Sequence, residues 1–247
     1  MLGAWNDPAL YHGFFDRTGG VSVGTYTTLN LGTRVGDDER AVEENWRRAR
    51  KLARLETFAR LVQVHGSEIR HVTQANVAER PEADGMVTRE PEVGLAVLTA
   101  DCVPVLLADS QAGVVAALHA GWRGTIAGIA ERGVEAMLKL GASTSNIRAA
   151  LGPSIGQCCF EVDLELAERF GREIPGSEAH TRSGRVGKAY LDLRGIVRNQ
   201  LVRVGLDSGN VSSVGPCTRC ASERYFSRRA AGGVITGLQM SFVGLAP

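Results

Sequence analysis

The sequence predicts an α/β (α+β) protein with a single domain over residues 1–247, built as a mixed-sheet sandwich with flanking helices. Two observations support this fold class. Short apolar runs of strand length are interspersed with segments of helical periodicity. In addition, 30 glycines are spread along the chain, which indicates tight turns between short elements. No Pro/Ser linker, low-complexity tract or internal repeat divides the chain, so one domain is the preferred interpretation. The patterns leave the strand order open.

The N-terminal third begins with turns. Residues 19–32 predict turns and a short strand, and a helix is predicted from Asp38 onward. Two strands, at 60–64 and 68–73, flank a His-Gly pair at 65–66. The apolar face of the helix is predicted to consist of Val42, Trp46, Ala49 and Ala53.

The middle of the chain is predicted to form the buried sheet. Continuous apolar runs indicate strands at 95–99, 103–108 and 114–118. A helix over about 126–140 follows, and Gly141 marks its end.

Two later helices are predicted from their terminal residues. One covers 163–171 and begins with Asp163 as N-cap. The other covers 193–204, begins after Asp192 and ends at Gly205. Both therefore have a capping carboxylate at the start.

The composition argues against two classes of partner. With 28 Lys+Arg against 27 Asp+Glu, the net charge of +1 provides no basic excess to neutralise a nucleic-acid backbone. The most apolar stretch, residues 93–118, contains Asp101 and Asp109, which argues against a membrane span. Five cysteines, with no secretory signal at the N-terminus, predict reduced thiols and a cytoplasmic location. The oligomeric state stays open.

Three candidate ligands stand at the ends of predicted strands. His65, Cys102 and His119 each lie in a turn punctuated by glycine or proline. Strand ends at one edge of a sheet can converge, and sites are often built there. One thiolate and two imidazoles suit zinc, with a fourth position left for water. The alternative for each residue alone is a small buried thiol or a hydrogen-bonded core histidine.

The segment HAGWRGT also indicates an anion site. Gly121 and Gly124 would let the backbone approach a ligand at the start of the following helix. Arg123 would add a positive charge there. The alternative is a tight turn with a solvated arginine. A second candidate for anion binding is the pair Arg228-Arg229, for which a solvated basic turn is the alternative.

Cys217 and Cys220 form a CxxC motif that could be redox-active or half of a zinc site. No second CxxC completes a four-cysteine site, and the adjacent Cys158 and Cys159 offer poor geometry for chelation. Ordinary reduced thiols in a turn are therefore the preferred interpretation.

Eight motifs, taken in chain order, resemble those of one known family. They are HGFFDRTGGVS, LNLG followed by GDD, QVHG, TADCVPVLLAD, HAGWRGT, LGPSIGQCCFEV, CT and YFSRR. They extend from about residue 12 to about residue 230, which is nearly the whole chain. The chain is accordingly identified as a member of the laccase-domain, or multicopper polyphenol oxidoreductase, family. Members of this family are more recently described as purine nucleoside phosphorylases.

The resemblance implies one laccase-domain, or purine nucleoside phosphorylase-like, domain over residues 1–247. It also implies a zinc site, because family members bind zinc through the His of QVHG, the Cys of ADC and the His of HAGW. In this sequence these residues are His65, Cys102 and His119. The implied activity is phosphorolysis of adenosine, inosine and S-methyl-5'-thioadenosine, with adenosine deamination as a further activity. The implied partners are thus purine nucleosides and phosphate.

The reaction suggests roles for residues around the predicted zinc. Arg123, assigned by its chemistry and its place in the motif, is a candidate catalytic residue that would hold phosphate together with zinc and the amides of 121–125. Asn30, in LNLG, is a candidate for a hydrogen bond to the nucleoside. The chain departs from the family pattern after YFSRR, where a Thr-Gly-Arg turn is usual, and Cys220 is an addition to that pattern.

Copper fits the sequence less well than zinc. Older descriptions of the family name a copper-dependent polyphenol oxidase, but a multicopper oxidase needs many histidine ligands and this chain has five histidines. Zinc suits both purine reactions, since it can activate water and stabilise developing negative charge. Two different functions are also compatible with the sequence. Cys102 and His119 could form the nucleophile and base of a metal-free hydrolase, or the pocket could bind a nucleoside without turnover.

Overall fold

The computed structural model describes residues 1–247 as thirteen strands and five helices, with three short 3-10 turns. The strands are β1 (Leu10–Phe14), β2 (Thr57–Ala59), β3 (Ile69–His71), β4 (Gly85–Thr88), β5 (Val93–Thr99), β6 (Val103–Asp109), β7 (Val114–Ala120), β8 (Arg148–Leu151), β9 (Glu161–Asp163), β10 (Thr181–Ser183), β11 (Lys188–Leu191), β12 (Val211–Ser213) and β13 (Gln239–Leu245). The helices are α1 (Glu39–Ala53), α2 (Trp122–Ile126), α3 (Ile129–Lys139), α4 (Leu164–Glu173) and α5 (Leu193–Arg203).

The strands form three sheets. A six-stranded sheet has the order β12-β8-β6-β7-β4-β3, a four-stranded sheet has the order β1-β13-β5-β2, and a small sheet has the order β10-β11-β9. Both larger sheets are mixed: β3 and β4 pair in parallel and β4 and β7 antiparallel, while β2 and β5 pair in parallel and β5 and β13 antiparallel. The predicted mixed-sheet sandwich is confirmed.

Apolar side chains fill three layers between and outside the two larger sheets. The layer between the sheets includes Phe14, Leu95, Val97, Leu106 and Val243. The outer layer of the six-stranded sheet, against α3 and α5, includes Leu107, Leu118, Val134, Ile196 and Leu201. The outer layer of the four-stranded sheet, against α1, includes Trp46, Ala49, Phe58, Met240 and Phe242. Both faces of the central strands are therefore buried, which explains their continuous apolar sequence.

The predicted first helix is confirmed as α1. Its N-cap, Asp38, accepts a hydrogen bond from the backbone N–H of Ala41 at 2.8 Å, an interaction that typically contributes about 1 kcal/mol. On the buried face, the indole N–H of Trp46 donates to the carbonyl of Leu31 at 3.0 Å. The helix is thereby fixed to the segment that precedes it.

The later helices also match their predictions. α5 begins after Asp192, whose carboxylate accepts from the N–H of Gly195, and it is followed by Gly205 at φ +110°. α4 begins after Asp163, but this carboxylate pairs with Lys188 and makes no capping hydrogen bond. No helix has both the length and the apolar character needed to cross a bilayer.

Two predicted strands are absent, and one predicted helix begins later than expected. Residues 19–32 contain a 3-10 turn and no strand. Residues 60–64 form no strand: Val62 makes only an isolated bridge to Glu82, and the side-chain amide of Gln63 pairs with the backbone of Leu98 (2.7 and 2.8 Å). The helix predicted over 126–140 is α3, which begins later, at Ile129, after Gly128 at a left-handed φ of +78°, and the short helix α2 precedes it.

Candidate metal centre

Two turns and a strand bring His65, Cys102 and His119 together. His65 lies in the turn that leads to β3, Cys102 lies between β5 and β6, and His119 is on β7 opposite Pro104 of β6. Their ligand atoms all lie within 4.8 Å of one another, and the two imidazole rings meet edge to face with 4.8 Å between centroids. The strand-end argument therefore placed all three residues in one cluster.

Two turns of the cluster use unusual backbone. His65 has a φ of +61° and Asp101, which precedes Cys102, has a φ of +96°, conformations that cost about 1–3 kcal/mol each for residues with a side chain. Hydrogen bonds hold both turns in place. The Asp101 carboxylate accepts from the Thr218 hydroxyl at 2.6 Å and from the Arg229 N–H at 2.7 Å.

Asp84 connects the two histidines, and the sequence analysis missed it. Its buried carboxylate accepts hydrogen bonds from the backbone N–H groups of Val64, His65 and Gly66 at 2.7–3.1 Å. It also lies 2.7 Å from Nδ1 of His119. This contact leaves Nε2 of His119 available as a ligand, as is usual for metal-binding histidines. The only sequence signal for Asp84 is an acidic residue directly before the buried strand β4.

Gly121 and Gly124 have a packing role that differs from the predicted one. A Cβ at Gly121 would lie 2.9 Å from the ring of His65 and 3.3 Å from Sγ of Cys102. A Cβ at Gly124 would lie 2.5 Å from the carbonyl of Gly66. Both glycines therefore allow the start of α2 to pack against the His65 turn. Because α2 has five residues, it offers little of the helix-terminus effect on which the predicted anion site depended.

The charged forms of Cys102 and His119 stabilise each other and shift each other's pKa. Burial disfavours the Cys102 thiolate, but the His119 and His65 rings outweigh it and lower the pKa of Cys102 to about 6. Burial likewise opposes the charged form of His119, yet the Cys102 thiolate and the Asp84 carboxylate raise the pKa of His119 to about 9. A thiolate and two oriented imidazoles form a donor set that fits zinc with three protein ligands.

The cluster lines a cavity of about 410 Å³, within the range of roughly 300–1,000 Å³ typical of small-molecule sites. His119 is 3% exposed and Cys102 is half-buried, whereas His65 is exposed at the cavity mouth. A larger cavity of 720 Å³ lies between β3 and α3 and has no residue of the cluster in its wall.

The cavity wall carries positive charge. Arg34 and Arg228 line it, and no Asp or Glu does. Leu61, Leu98 and Leu238 supply apolar surface. Such a wall suits a ligand with one anionic part and one apolar, planar part. Arg34 was missed by the sequence analysis, and its only signal is its position between LNLG and GDD.

Thr99 also lines this cavity and was missed by the sequence analysis. Its buried hydroxyl has no hydrogen-bond partner within the chain. Buried polar groups are normally hydrogen-bonded, so an unpartnered hydroxyl beside the cavity is unusual. Nothing in the sequence around Thr99, the last residue of β5, distinguishes it from a core threonine.

Two predicted arginines do not line the cavity. Arg123 is exposed and stacks on the ring of Trp122, 4.3 Å from the centroid. Arg229 directs its guanidinium to the carbonyls of Cys159 and Glu161, both at 3.0 Å. Of the pair predicted to bind an anion, the structure therefore places Arg228 at the cavity and gives Arg229 a structural contact.

Asn30 is likewise not in the cavity wall. Its buried side chain accepts hydrogen bonds from the N–H groups of Gly32 and Leu238 and donates to the carboxylate of Asp37. Both the oxygen and the nitrogen of the side-chain amide are therefore engaged within the protein. The geometry does not support a direct hydrogen bond from Asn30 to a nucleoside. Asn30 instead positions Gly32 and Leu238, which do line the cavity.

The structure is that of a layered α/β protein with a Cys–His–His cluster in the wall of a cavity. The chain belongs to the family described as multi-copper polyphenol oxidoreductase laccase, whose model matches residues 11–246. The family resemblance predicted from the motifs is thereby confirmed.

Individual relatives extend this comparison. The chain is 43% identical to a protein of Deinococcus radiodurans named purine nucleoside phosphorylase, over 96% of this chain and 90% of the relative. It is 38% identical to a protein of an unknown prokaryotic organism named adenosine deaminase RL5, over 84% of this chain and 83% of the relative. The crystal structure of YlmD from Geobacillus stearothermophilus superposes with a TM-score of 0.91 at 33% identity, over 97% and 93% of the two chains. The prediction that the protein is an enzyme is confirmed by relatives named for catalytic activities.

Proposed function

We propose that the protein is a zinc-dependent purine nucleoside phosphorylase acting on adenosine, inosine and S-methyl-5'-thioadenosine, and that it also deaminates adenosine. One observation carries this proposal: a Cys–His–His cluster opens into a cavity that has two arginines and no carboxylate in its wall. The names of the Deinococcus and RL5 relatives support the two reactions.

The donor set of His65, Cys102 and His119 fits a zinc ion, and Asp84 holds both histidine positions. Zinc bound there would supply Lewis acidity and lower the pKa of a water molecule, which is chemistry that both reactions can use.

In phosphorolysis, the bond between C1′ and the base breaks, a phosphate oxygen bonds to C1′, and the departing purine takes up one proton. Arg228 and Arg34 at the cavity wall would bind the phosphate dianion. The leucine side chains of the wall would pack against the base and reduce the access of water.

Copper-dependent polyphenol oxidation is the alternative that the family name favours. The remaining histidines do not support it. His12 contacts the backbone of Ala4 and Trp5, and neither His71 nor His180 belongs to a group of potential ligands. The histidines needed for additional coppers at the cavity are therefore lacking.

The test is adenosine turnover by protein of known zinc content, with and without phosphate, with adenine, ribose 1-phosphate and inosine separated. Equimolar adenine and ribose 1-phosphate that require phosphate support the phosphorylase, and inosine formed without phosphate supports deamination. Cys102→Ala, verified as folded by circular dichroism, should lose both products. His71→Ala, an exposed histidine outside the cluster, is the matched control and should retain them. Inosine formation that persists in full after zinc removal would instead favour the metal-free Cys–His hydrolase.

A further inference from the structure

Four cysteines meet at a second place in the fold. Cys158 and Cys159 lie in the turn between β8 and β9, and Cys217 and Cys220 follow β12. Their sulfur atoms all lie within 4.8 Å of one another. The sequence analysis expected the adjacent Cys158 and Cys159 to offer poor geometry for chelation. That expectation is wrong, because the fold brings the sulfurs of the CxxC motif within 4.8 Å of both.

The sulfur spacing fits a single tetrahedral ion. Sγ of Cys220 lies 3.4 Å from Sγ of Cys159 and 3.6 Å from Sγ of Cys158. Four thiolates around zinc at about 2.3 Å define a tetrahedron with S···S edges of about 3.8 Å. A disulfide would need a separation of about 2.05 Å, so no two of these cysteines are bonded, and all four sulfurs are free to act as ligands.

The backbone holds the two segments together without the sulfurs. Ser154 and Cys217 form a parallel bridge, and the N–H of Thr218 donates to the carbonyl of Ser154 at 3.0 Å. A Cβ at Gly156 would lie 3.2 Å from Cβ of Cys217, so this glycine leaves space for the approach of the CxxC motif. The thiol positions are therefore set before any ion binds.

We propose that Cys158, Cys159, Cys217 and Cys220 form a second metal site that binds one structural Zn²⁺, separate from the His65–Cys102–His119 cluster. Four thiolates are the donor set of closed, structural zinc sites. On binding, each of the four thiols releases a proton and its sulfur forms a bond to the ion. Because all four positions are then taken by protein, the ion has no open position for a substrate.

This site would stabilise the wall of the cavity. Thr218, within the CxxC motif, binds the Asp101 carboxylate directly before Cys102. Arg229 joins the same carboxylate to the carbonyl of Cys159, and Arg228 at the cavity is its neighbour in the chain. The zinc would thus hold the segment that carries Arg228 against the Cys102 turn.

The experiment counts zinc per chain in protein purified under reducing conditions. Two equivalents are expected for the unmodified protein, and one each for Cys220→Ser, Cys158→Ser and Cys102→Ala. The double variant Cys102→Ala/Cys220→Ser should retain none. Ser222→Ala lies in the same turn without offering a ligand atom and should retain two.

A second measurement covers the case in which a cysteine variant fails to fold. Cys102→Ala reconstituted with Co²⁺ should show intense thiolate-to-cobalt charge-transfer absorption, because its remaining cysteines are the four of the proposed site. One zinc per chain that is unaffected by Cys220→Ser, a native disulfide between the two segments, or iron in place of zinc would each overturn the proposal. Absence of cobalt–thiolate absorption in folded Cys102→Ala would overturn it as well.

Discussion

At the scale of single residues, the Asp84 carboxylate sets both histidine positions. One oxygen accepts from the His65 N–H and contacts the His119 ring, and the second oxygen accepts from the N–H groups of Val64 and Gly66. In Asp84→Asn, the side-chain NH₂ group takes the place of one carboxylate oxygen. In either orientation of the amide it then faces backbone N–H donors, and those hydrogen bonds are lost. We expect zinc affinity to fall about 10- to 100-fold, the usual effect of losing such a supporting contact.

The measurement for Asp84→Asn is competition for zinc with a chelator of known affinity. Asp109→Asn is the matched control, because Asp109 is also fully buried and accepts three backbone N–H bonds away from the cavity. The control should lose stability and keep its zinc affinity. Equal zinc affinity in Asp84→Asn and the unmodified protein would show that Asp84 does not support the metal ligands.

Two arginines give different expectations from sequence and from structure. Arg123 was assigned to phosphate from its motif, whereas Arg228 lines the cavity. A hydrogen bond to a charged group contributes about 1.5–3 kcal/mol, which corresponds to a roughly 10- to 100-fold change in binding. We therefore expect Arg228→Ala to raise the KM for phosphate by about this factor, and Arg123→Ala to leave it nearly unchanged. Steady-state kinetics at varied phosphate concentration measure both effects. A larger rise in KM for Arg123→Ala than for Arg228→Ala would instead support Arg123 as the phosphate-binding residue.

At the scale of secondary-structure elements, the junction of β7 and α2 shapes the cluster. Gly121 permits the His65 ring and the Cys102 sulfur to approach the backbone more closely than a Cβ would allow. In Gly121→Ala the new methyl group must displace one of these ligands, so zinc content and turnover should fall together. Gly171→Ala on α4, where the added Cβ meets atoms no closer than 3.7 Å, should preserve both. Full zinc content in a folded Gly121→Ala would contradict the steric argument.

Elements with a strong local signal were predictable, and elements set by tertiary contacts were not. The central strands were evident from apolar runs, and α1 and α5 from capping aspartates. The missing strand at 60–64 could not be foreseen, because this segment makes tertiary contacts instead, among them the hydrogen-bonded pair between Gln63 and the distant Leu98. The helix predicted over 126–140 begins later than expected, at Ile129, because Gly128 before it adopts a left-handed φ that its sequence does not require.

At the scale of the whole molecule, the same distinction applies to the candidate site. His65, Cys102 and His119 were found because each stands at the end of a predicted strand, although the strand predicted before His65 does not form, and the family motifs named them independently. Asp84 and the grouping of four cysteines were missed because both depend on which turns the sheet topology brings together. Ligands marked by a local sequence motif were therefore predictable. Groupings of residues that depend on the order of the strands could be seen only in the structure.

The stability of the whole molecule depends on the layer between the two sheets, which also fixes how the turns of the site meet. Leu106, fully buried on β6, lies in this layer. Leu106→Ala should lower the free energy of unfolding by about 2–5 kcal/mol, the range for leucine deletions in a core that cannot collapse fully. Leu52→Ala on α1, where the leucine is 58% exposed, should change it little, typically within about 0.5 kcal/mol. Urea denaturation monitored by tryptophan fluorescence measures both. Similar midpoints for the two variants would mean that the sheets do not pack as one cooperative core.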